Sequence, residues 1–259
     1  MREIAAYVES VDQTIVGGLA ALRLSSPALA AARPGQWASL RQPDALDILA
    51  RPYPLTRLRA REGAVDVLYR PDDRSASARW LRTLRPSETV HLLAPWGKPF
   101  AVEARTRHAL LLGTGERLCT LLALAETLTE DGVLVVIVHD APTADGLLSP
   151  SLAPAAAEIH LATEDGSAGT RGDALTLAEP LLAWADAVYA ALPPDRYLAL
   201  RDLIGRQRLR PRRGFATIVA EAPYACYASA CDGCAVTLRN GVPALLCRDG
   251  PALDLLDLV

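Results

Sequence analysis

Residues 108–138 read HALLLGTGERLCTLLALAETLTEDGVLVVIV, an aliphatic run, a glycine-bearing turn, an amphipathic stretch and a second aliphatic run. The run 108–112 ends on Gly113, residues 116–128 have helical apolar spacing, and 133–138 is six aliphatic residues without a polar one. A strand that lacks apolar–polar alternation is buried on both faces, which requires helices on both sides of a parallel sheet. The rhythm continues downstream, with strands expected at 158–162, 187–191 and 215–220 and helices at 175–184 and 195–208.

Upstream the signals differ. Segments 4–11, 14–24, 37–41, 55–60, 64–69 and 89–93 are short, β-rich and punctuated by Gly, Pro or polar residues. Six such segments predict a small antiparallel barrel, interrupted by one helix at 77–84 that Arg85-Pro86 ends. The chain of 259 residues is too long for one core of ~150 residues and short for three, so two domains are expected from length alone. The sequence contains no internal repeats.

Composition is that of an ordinary globular protein, with 51% hydrophobic and 22% charged residues, which excludes a disordered chain. A net charge of −3 gives no electrostatic reason to expect nucleic acid. Lys98 is the single lysine, and the Ala- and Arg-rich skew is what GC-rich coding produces. The longest aliphatic run, 133–138, falls far below the ~20 residues needed to span a bilayer. Arg2, Glu3, Glu9 and Asp12 stand where a signal peptide needs apolar residues, so a cytoplasmic location is expected.

Five cysteines, an odd number without a secretion signal, argue for metal or redox chemistry over a disulfide framework. Cys226, Cys231, Cys234 and Cys247 give the spacing C-x4-C-x2-C-x12-C, and the first three match the loop around a [2Fe-2S] cluster in plant-type ferredoxins. Small residues at Ala228, Ser229, Ala230 and Gly233 let a chain curl tightly around such a cluster. A zinc tetrathiolate is the alternative, although such sites more usually pair two short C-x2-C knuckles and this spacing has one. Cys119, inside the apolar helix, reads as a core residue.

The tail 222–254, APYACYASACDGCAVTLRNGVPALLCRDGPALD, resembles the C-terminus of the electron-transfer subunits of B-type dihydroorotate dehydrogenases. Those end in a C-G-x-G-x-C-x-G-C loop, a short hairpin and C-x-D-G-P, and Cys247-Arg248-Asp249-Gly250-Pro251 reproduces the ending closely. Other landmarks are similar: Pro34-Gly35-Gln36 before a barrel strand, and Arg51-Pro52-Tyr53-Pro54 at the flavin signature R-P-x-S/T. Leu68-Tyr69-Arg70 resembles the next flavin-contacting strand, and 94–100 the turn closing the barrel. Residues 162–169 resemble A-T-D-D-G-S-x-G between a strand and a helix.

The resemblance implies an α+β multidomain chain: a ferredoxin-reductase-like, flavin-binding antiparallel β-barrel over 1–103, an α/β parallel-sheet nucleotide-binding domain over 104–220, and a [2Fe-2S] cysteine segment over 221–259. FAD would be held by Arg51, Pro52, Tyr53, Pro54, Leu68, Tyr69, Arg70, Ser75 and Ala76, with the planar guanidinium of Arg51 on the pyrophosphate. The cluster would sit on Cys226, Cys231, Cys234 and Cys247. The partner implied is the FMN-containing catalytic subunit of dihydroorotate dehydrogenase, with electrons passing to NAD+ in pyrimidine biosynthesis.

Departures bear on each site. The signature Ser/Thr is Pro54, the Gly-Thr that cradles the pyrophosphate reads Ser75-Ala76, and the C-G-P of the last nucleotide strand is Ala191-Leu192-Pro193. Two loop glycines beside the cluster are Tyr227 and Ser229. The nucleotide turn is reduced to Gly113-Thr114-Gly115-Glu116, and Glu116 puts a carboxylate where a phosphate would approach. Two other functions stay open: a reductase subunit of a hydrogenase or transhydrogenase-like complex, and a cluster-only adaptor that has lost nucleotide binding. Asp165-Gly166 reads as a turn, the four histidines (91, 108, 139, 160) as packing or surface residues, and the basic run 206–213 as a solvated helix end.

Overall fold

The computed structural model describes residues 3–16, 18–40, 51–71, 74–207, 212–224 and 231–258. Strands β1 (Glu3–Val16), β2 (Leu19–Ser25), β3 (Trp37–Leu40), β4 (Arg51–Arg59), β5 (Ala64–Tyr69) and β6 (Thr89–Trp96) close into an antiparallel barrel in the order β1-β2-β5-β4-β3-β6. Alternate residues such as Ala20, Leu22 and Leu24 fill its interior with Val65, Val67, Leu55 and Leu92. The segment expected as one strand, 14–24, is broken by a hairpin: β1 runs to Val16, which pairs with Leu19, and Gly18 supplies a φ of 79°. Arg41, expected to end β3, lies outside the described residues.

Helix α1 (Ala76–Leu81) begins where Ser75 accepts the Ala78 N–H on its hydroxyl at 3.1 Å. It stops three residues short of the expected 84, because the N–H groups of Thr83 and Leu84 turn to carbonyls three residues back, those of Trp80 and Leu81.

The second half is a sheet built from β7 (His108–Thr114), β8 (Leu134–Ala141), β9 (Glu158–Thr163), β10 (Thr170–Arg171), β11 (Ala187–Ala191) and β12 (Ala216–Val219), all parallel. Both faces of β7 are buried. Leu110 and Leu112 pack with α3 (Ala174–Ala178) and α4 (Tyr197–Gln207), while Ala109 and Leu111 pack with α2 (Cys119–Glu130). The strand order β10-β9-β8-β7-β11-β12 reverses at β7, so the crevice beyond the carboxyl ends of β7 and β11 is the topological switch point. The helix expected over 175–184 tightens to 3-10 geometry at Glu179–Leu181, where Pro180 has no N–H for an α-helical bond.

The tail forms a hairpin of β13 (Ala235–Thr237) and β14 (Pro243–Leu245), then α5 (Leu246–Asp249), β15 (Ala252–Asp254) and α6 (Leu255–Leu258). β15 returns to the sheet antiparallel to β12, so the cysteine-bearing lobe is tied to the sheet edge at both of its ends. Among the described residues no helix is long and apolar enough to cross a membrane.

Candidate functional site

A cleft of about 530 Å³ opens where β4 and β5 face the first turn of α2. Seven of the nine expected flavin-contacting residues line it: Arg51, Pro52, Tyr53, Pro54, Leu68, Tyr69 and Arg70. Ser75 and Ala76 do not line it. Ser75 instead accepts from Arg51 Nη1 and caps α1, so the helix start braces the guanidinium. Tyr53 shares a 3.0 Å hydrogen bond with Ser77, which fixes its ring against the wall. The Tyr69 hydroxyl is buried without a hydrogen-bond partner among the described residues, and burial pushes its phenol up from the ordinary value. A buried hydroxyl left unpaired costs about 1–3 kcal/mol, so an acceptor entering the cleft has a donor prepared for it.

Four cleft residues were not in the expected set, one of them Ala78 of α1. Leu19 comes from the start of β2, and Glu116 and Cys119 come from the sheet side. Glu116 pairs with Arg70 across the cleft, so the carboxylate expected to oppose a phosphate at the nucleotide turn faces the β4–β5 cleft instead. Cys119 is buried, and burial pushes its thiol up to about 12, which makes it an inert floor. The only signal for Glu116 and Cys119 was the turn's place in the chain, two to five residues after the end of β7.

The first glycine of that turn is used for packing and the second, Gly115, for its φ of 52°. A Cβ on Gly113 would stand 2.7 Å from Leu118 Cβ. The Gly113 carbonyl lies 2.8 Å from His139 Nδ1, and His139 Nε2 accepts the Leu148 N–H at 2.8 Å. At the carboxyl ends of β8 and β9, Arg196 pairs with the fully buried Asp140 and, at 2.8 Å, with Glu164. The 162–169 motif closes a turn: Asp165 accepts from Ser167, and Thr163 bonds both polar backbone groups of Ala168. The switch-point crevice, about 440 Å³, is lined by Ala191, Val219 and Ala220 from the strands, Trp37 and Pro52 from the barrel, and Tyr224 from the tail.

Cys231 is exposed, and Cys234 and Cys247 are buried. Cys226 lies outside the described residues, and among the described ones no three Cys, His, Asp or Glu side chains form a metal-holding group. The thiols nevertheless have the setting a cluster uses. The Gly233 N–H donates to Cys231 Sγ at 3.3 Å and the Cys247 N–H to Cys234 Sγ at 3.5 Å. Asp232, at φ 52°, curls the chain between them. Trp96, Ala220 and Leu246 pack with Cys234 and Cys247 in one apolar core. Against that core lie Trp37 and Tyr224, with ring centroids 5.8 Å apart for Trp37–Trp96 and 5.2 Å for Trp96–Tyr224.

A closed six-stranded barrel followed by this parallel sheet is the ferredoxin-reductase-like architecture. The NADH-dependent reduced ferredoxin–NADP oxidoreductase structure, studied for flavin-based electron bifurcation, superposes with a TM-score of 0.78 at 21% identity, covering 98% of this chain and 89% of that one. The ferredoxin reductase in carbazole 1,9a-dioxygenase gives a TM-score of 0.67 at 20% identity, over 82% of this chain and 67% of the other. In sequence, the dihydroorotate dehydrogenase B (NAD(+)) electron transfer subunit of Bacillus caldolyticus is 31% identical over 224 residues, 85% of this chain and 84% of its own length. The subunit of the same name from Streptococcus pneumoniae is 27% identical over 244 residues, 93% of this chain and 94% of its own. The chain belongs to the family of dihydroorotate dehydrogenase B electron transfer subunits. No protein-family model matches it.

Proposed function

We propose that this chain holds FAD in the β4–β5 cleft and a [2Fe-2S] cluster on Cys226, Cys231, Cys234 and Cys247, and relays electrons for a dihydroorotate dehydrogenase catalytic subunit carrying FMN. The division is barrel (1–103), sheet (104–220) and cysteine segment (221–259). The observation that carries the reading is the cleft itself. Arg51 and Tyr69, expected from the sequence to contact flavin, both line it, and the Tyr69 hydroxyl is buried without an acceptor among the described residues.

When bound, the flavin supplies two-electron chemistry and the cluster one-electron chemistry. The chain's own residues bind and orient. Arg51, braced by Ser75, places a forked donor for a pyrophosphate. Pro52 and Pro54 fix the backbone of β4 along the cleft wall, and the Tyr69 hydroxyl would donate to a bound flavin. Cys231 and Cys234 receive backbone N–H groups that lower the cost of thiolate charge. Thiols kept reduced for such a cluster agree with a cytoplasmic site of action.

The relatives' name includes NAD(+). In this chain Gly113 is packed against Leu118, and Glu116 of the same turn is paired with Arg70 across the β4–β5 cleft.

The test is anaerobic purification with flavin, iron and acid-labile sulfide quantified on one sample. One FAD, two irons and two sulfides per chain is the expected result. Iron and sulfide without flavin would leave a cluster-only adaptor, and colourless protein with zinc would overturn the reading. Co-purification with a catalytic subunit that oxidises dihydroorotate tests the partner.

A further inference from the structure

Tyr224 precedes Cys226 by two residues and stands between the two candidate cofactor sites. Its ring packs 6.1 Å from Trp37 and 5.2 Å from Trp96, which hold it against the core formed with Cys234 and Cys247. Trp37 also lines the switch-point crevice with Pro52, a residue of the flavin cleft. The Tyr224 hydroxyl is buried and has no hydrogen-bond partner among the described residues. Glu221 is paired with Arg117 at 3.0 Å, and the Val219 carbonyl accepts from Tyr197. The side chains of the surrounding core are Trp96, Ala220, Leu246 and the two cysteines, so the acceptors it offers are sulfurs. A phenol keeps its proton at neutral pH and is a donor there.

We propose that the Tyr224 hydroxyl donates a hydrogen bond to a sulfur of the [2Fe-2S] cluster and thereby raises the cluster's reduction potential. This rests on the cluster assignment above. A hydrogen bond to sulfur stabilises the reduced, more negative cluster more than the oxidised one, and hydrogen bonds to the sulfurs are among the factors that set such potentials. The two tryptophans hold the ring in place, so the donor is fixed before the cluster arrives.

The experiment compares the full chain with Tyr224→Phe, which removes only the oxygen. Iron and acid-labile sulfide are measured first. The cluster is then titrated by electron paramagnetic resonance and the flavin by absorbance. Expected are unchanged iron, sulfide and flavin potential, and a cluster reduction equilibrium about tenfold less favourable, a fall of about 59 mV for one electron. In deuterated buffer the reduced wild-type cluster should show an exchangeable deuteron coupling that Tyr224→Phe lacks. An unchanged cluster potential in a protein with intact sulfide overturns this proposal alone, as does a shift confined to the flavin. Absence of sulfide from the wild-type protein overturns the cluster assignment itself, and this proposal with it.

Discussion

The backbone N–H of Lys98 donates to the carbonyl of Gly250 at 2.6 Å, so the turn that ends the barrel is bonded to the turn that follows the last cysteine. Pro251 then passes its own carbonyl to Ala220 N–H at 2.9 Å, and β15 continues along the sheet edge. Two motifs read separately, residues 94–100 and 247–251, are thus the halves of one contact. Gln36, of the Pro-Gly-Gln turn, adds a bond of 3.0 Å from its side-chain amide to the Gly97 carbonyl. Barrel, sheet and cysteine lobe meet at this point.

Gly97→Ala should therefore damage more than a loop. Gly97 has φ 81°, and a Cβ there would stand 2.9 Å from the Gly250 carbonyl oxygen. The left-handed conformation alone costs a non-glycine residue about 1–2 kcal/mol. A loss near 2 kcal/mol lowers the thermal midpoint of a chain this size by about 4–8 °C. Calorimetry checks the midpoint. An undiminished midpoint would mean that the two turns separate without cost.

Much of this was legible in the sequence because it depends on local periodicity and residue type. The aliphatic runs around Leu111 and Val136 dictated a sheet covered on both faces, and each is now buried on both sides. The residues Arg51 to Pro54 and Leu68 to Arg70 gather at one cleft because β4 and β5 are neighbours in the barrel. What periodicity does not encode is which side of a turn faces which neighbour. Glu116 read as a charge at a nucleotide turn, yet it reaches Arg70 across the cleft, a partner 46 residues away in the chain. Tyr224 was invisible for the same reason. Only the packing of Trp37 and Trp96, from different barrel strands, shows that its hydroxyl is enclosed.

Arg51→Ala should weaken FAD binding by about 1.5–3 kcal/mol, the worth of a charge-assisted hydrogen bond, or about 10–150-fold in Kd. Arg51→Lys should recover only part, since a point charge cannot make the forked contact. Flavin fluorescence during titration of the apoprotein reads the difference. Equal affinity in the alanine variant would remove Arg51 from the cleft's binding set, although it would leave Ser75 as the cap of α1.

Arg196 and Asp140 make the most consequential ion pair described. The Asp140 side chain is fully buried and also accepts the Ala174 N–H at 3.0 Å, while Arg196 reaches on to Glu164. Removing one partner of a buried pair leaves a charge without compensation, at about 3–5 kcal/mol. Arg196→Met should cost that much in urea denaturation. Adding Asp140→Asn should restore a substantial part, because the stranded carboxylate is then gone. Additive losses in the double variant would show that the two residues act independently.

His139 gives the fold a pH dependence whose sign follows from its bonds. Nε2 accepts the Leu148 N–H, so it carries no proton, and Nδ1 is the donor to the Gly113 carbonyl. Burial holds the ring neutral and its pKa below the ordinary value of 6.5. Above pH 6.5 folded and unfolded chains are both neutral at this residue and its contribution is fully present. As pH falls from there through the folded value, the unfolded chain binds a proton that the folded chain refuses, and stability is lost. One proton gives a slope of at most about 1.4 kcal/mol per pH unit, or about 3–5 °C in the midpoint. In His139→Asn the amide can keep the Gly113 bond without titrating and loses the Leu148 one, so the midpoint difference between variant and wild type should narrow, or reverse, on going from pH 7.5 to pH 5.5. A difference independent of pH would show that His139 is protonated equally in both states, contrary to the bonding pattern.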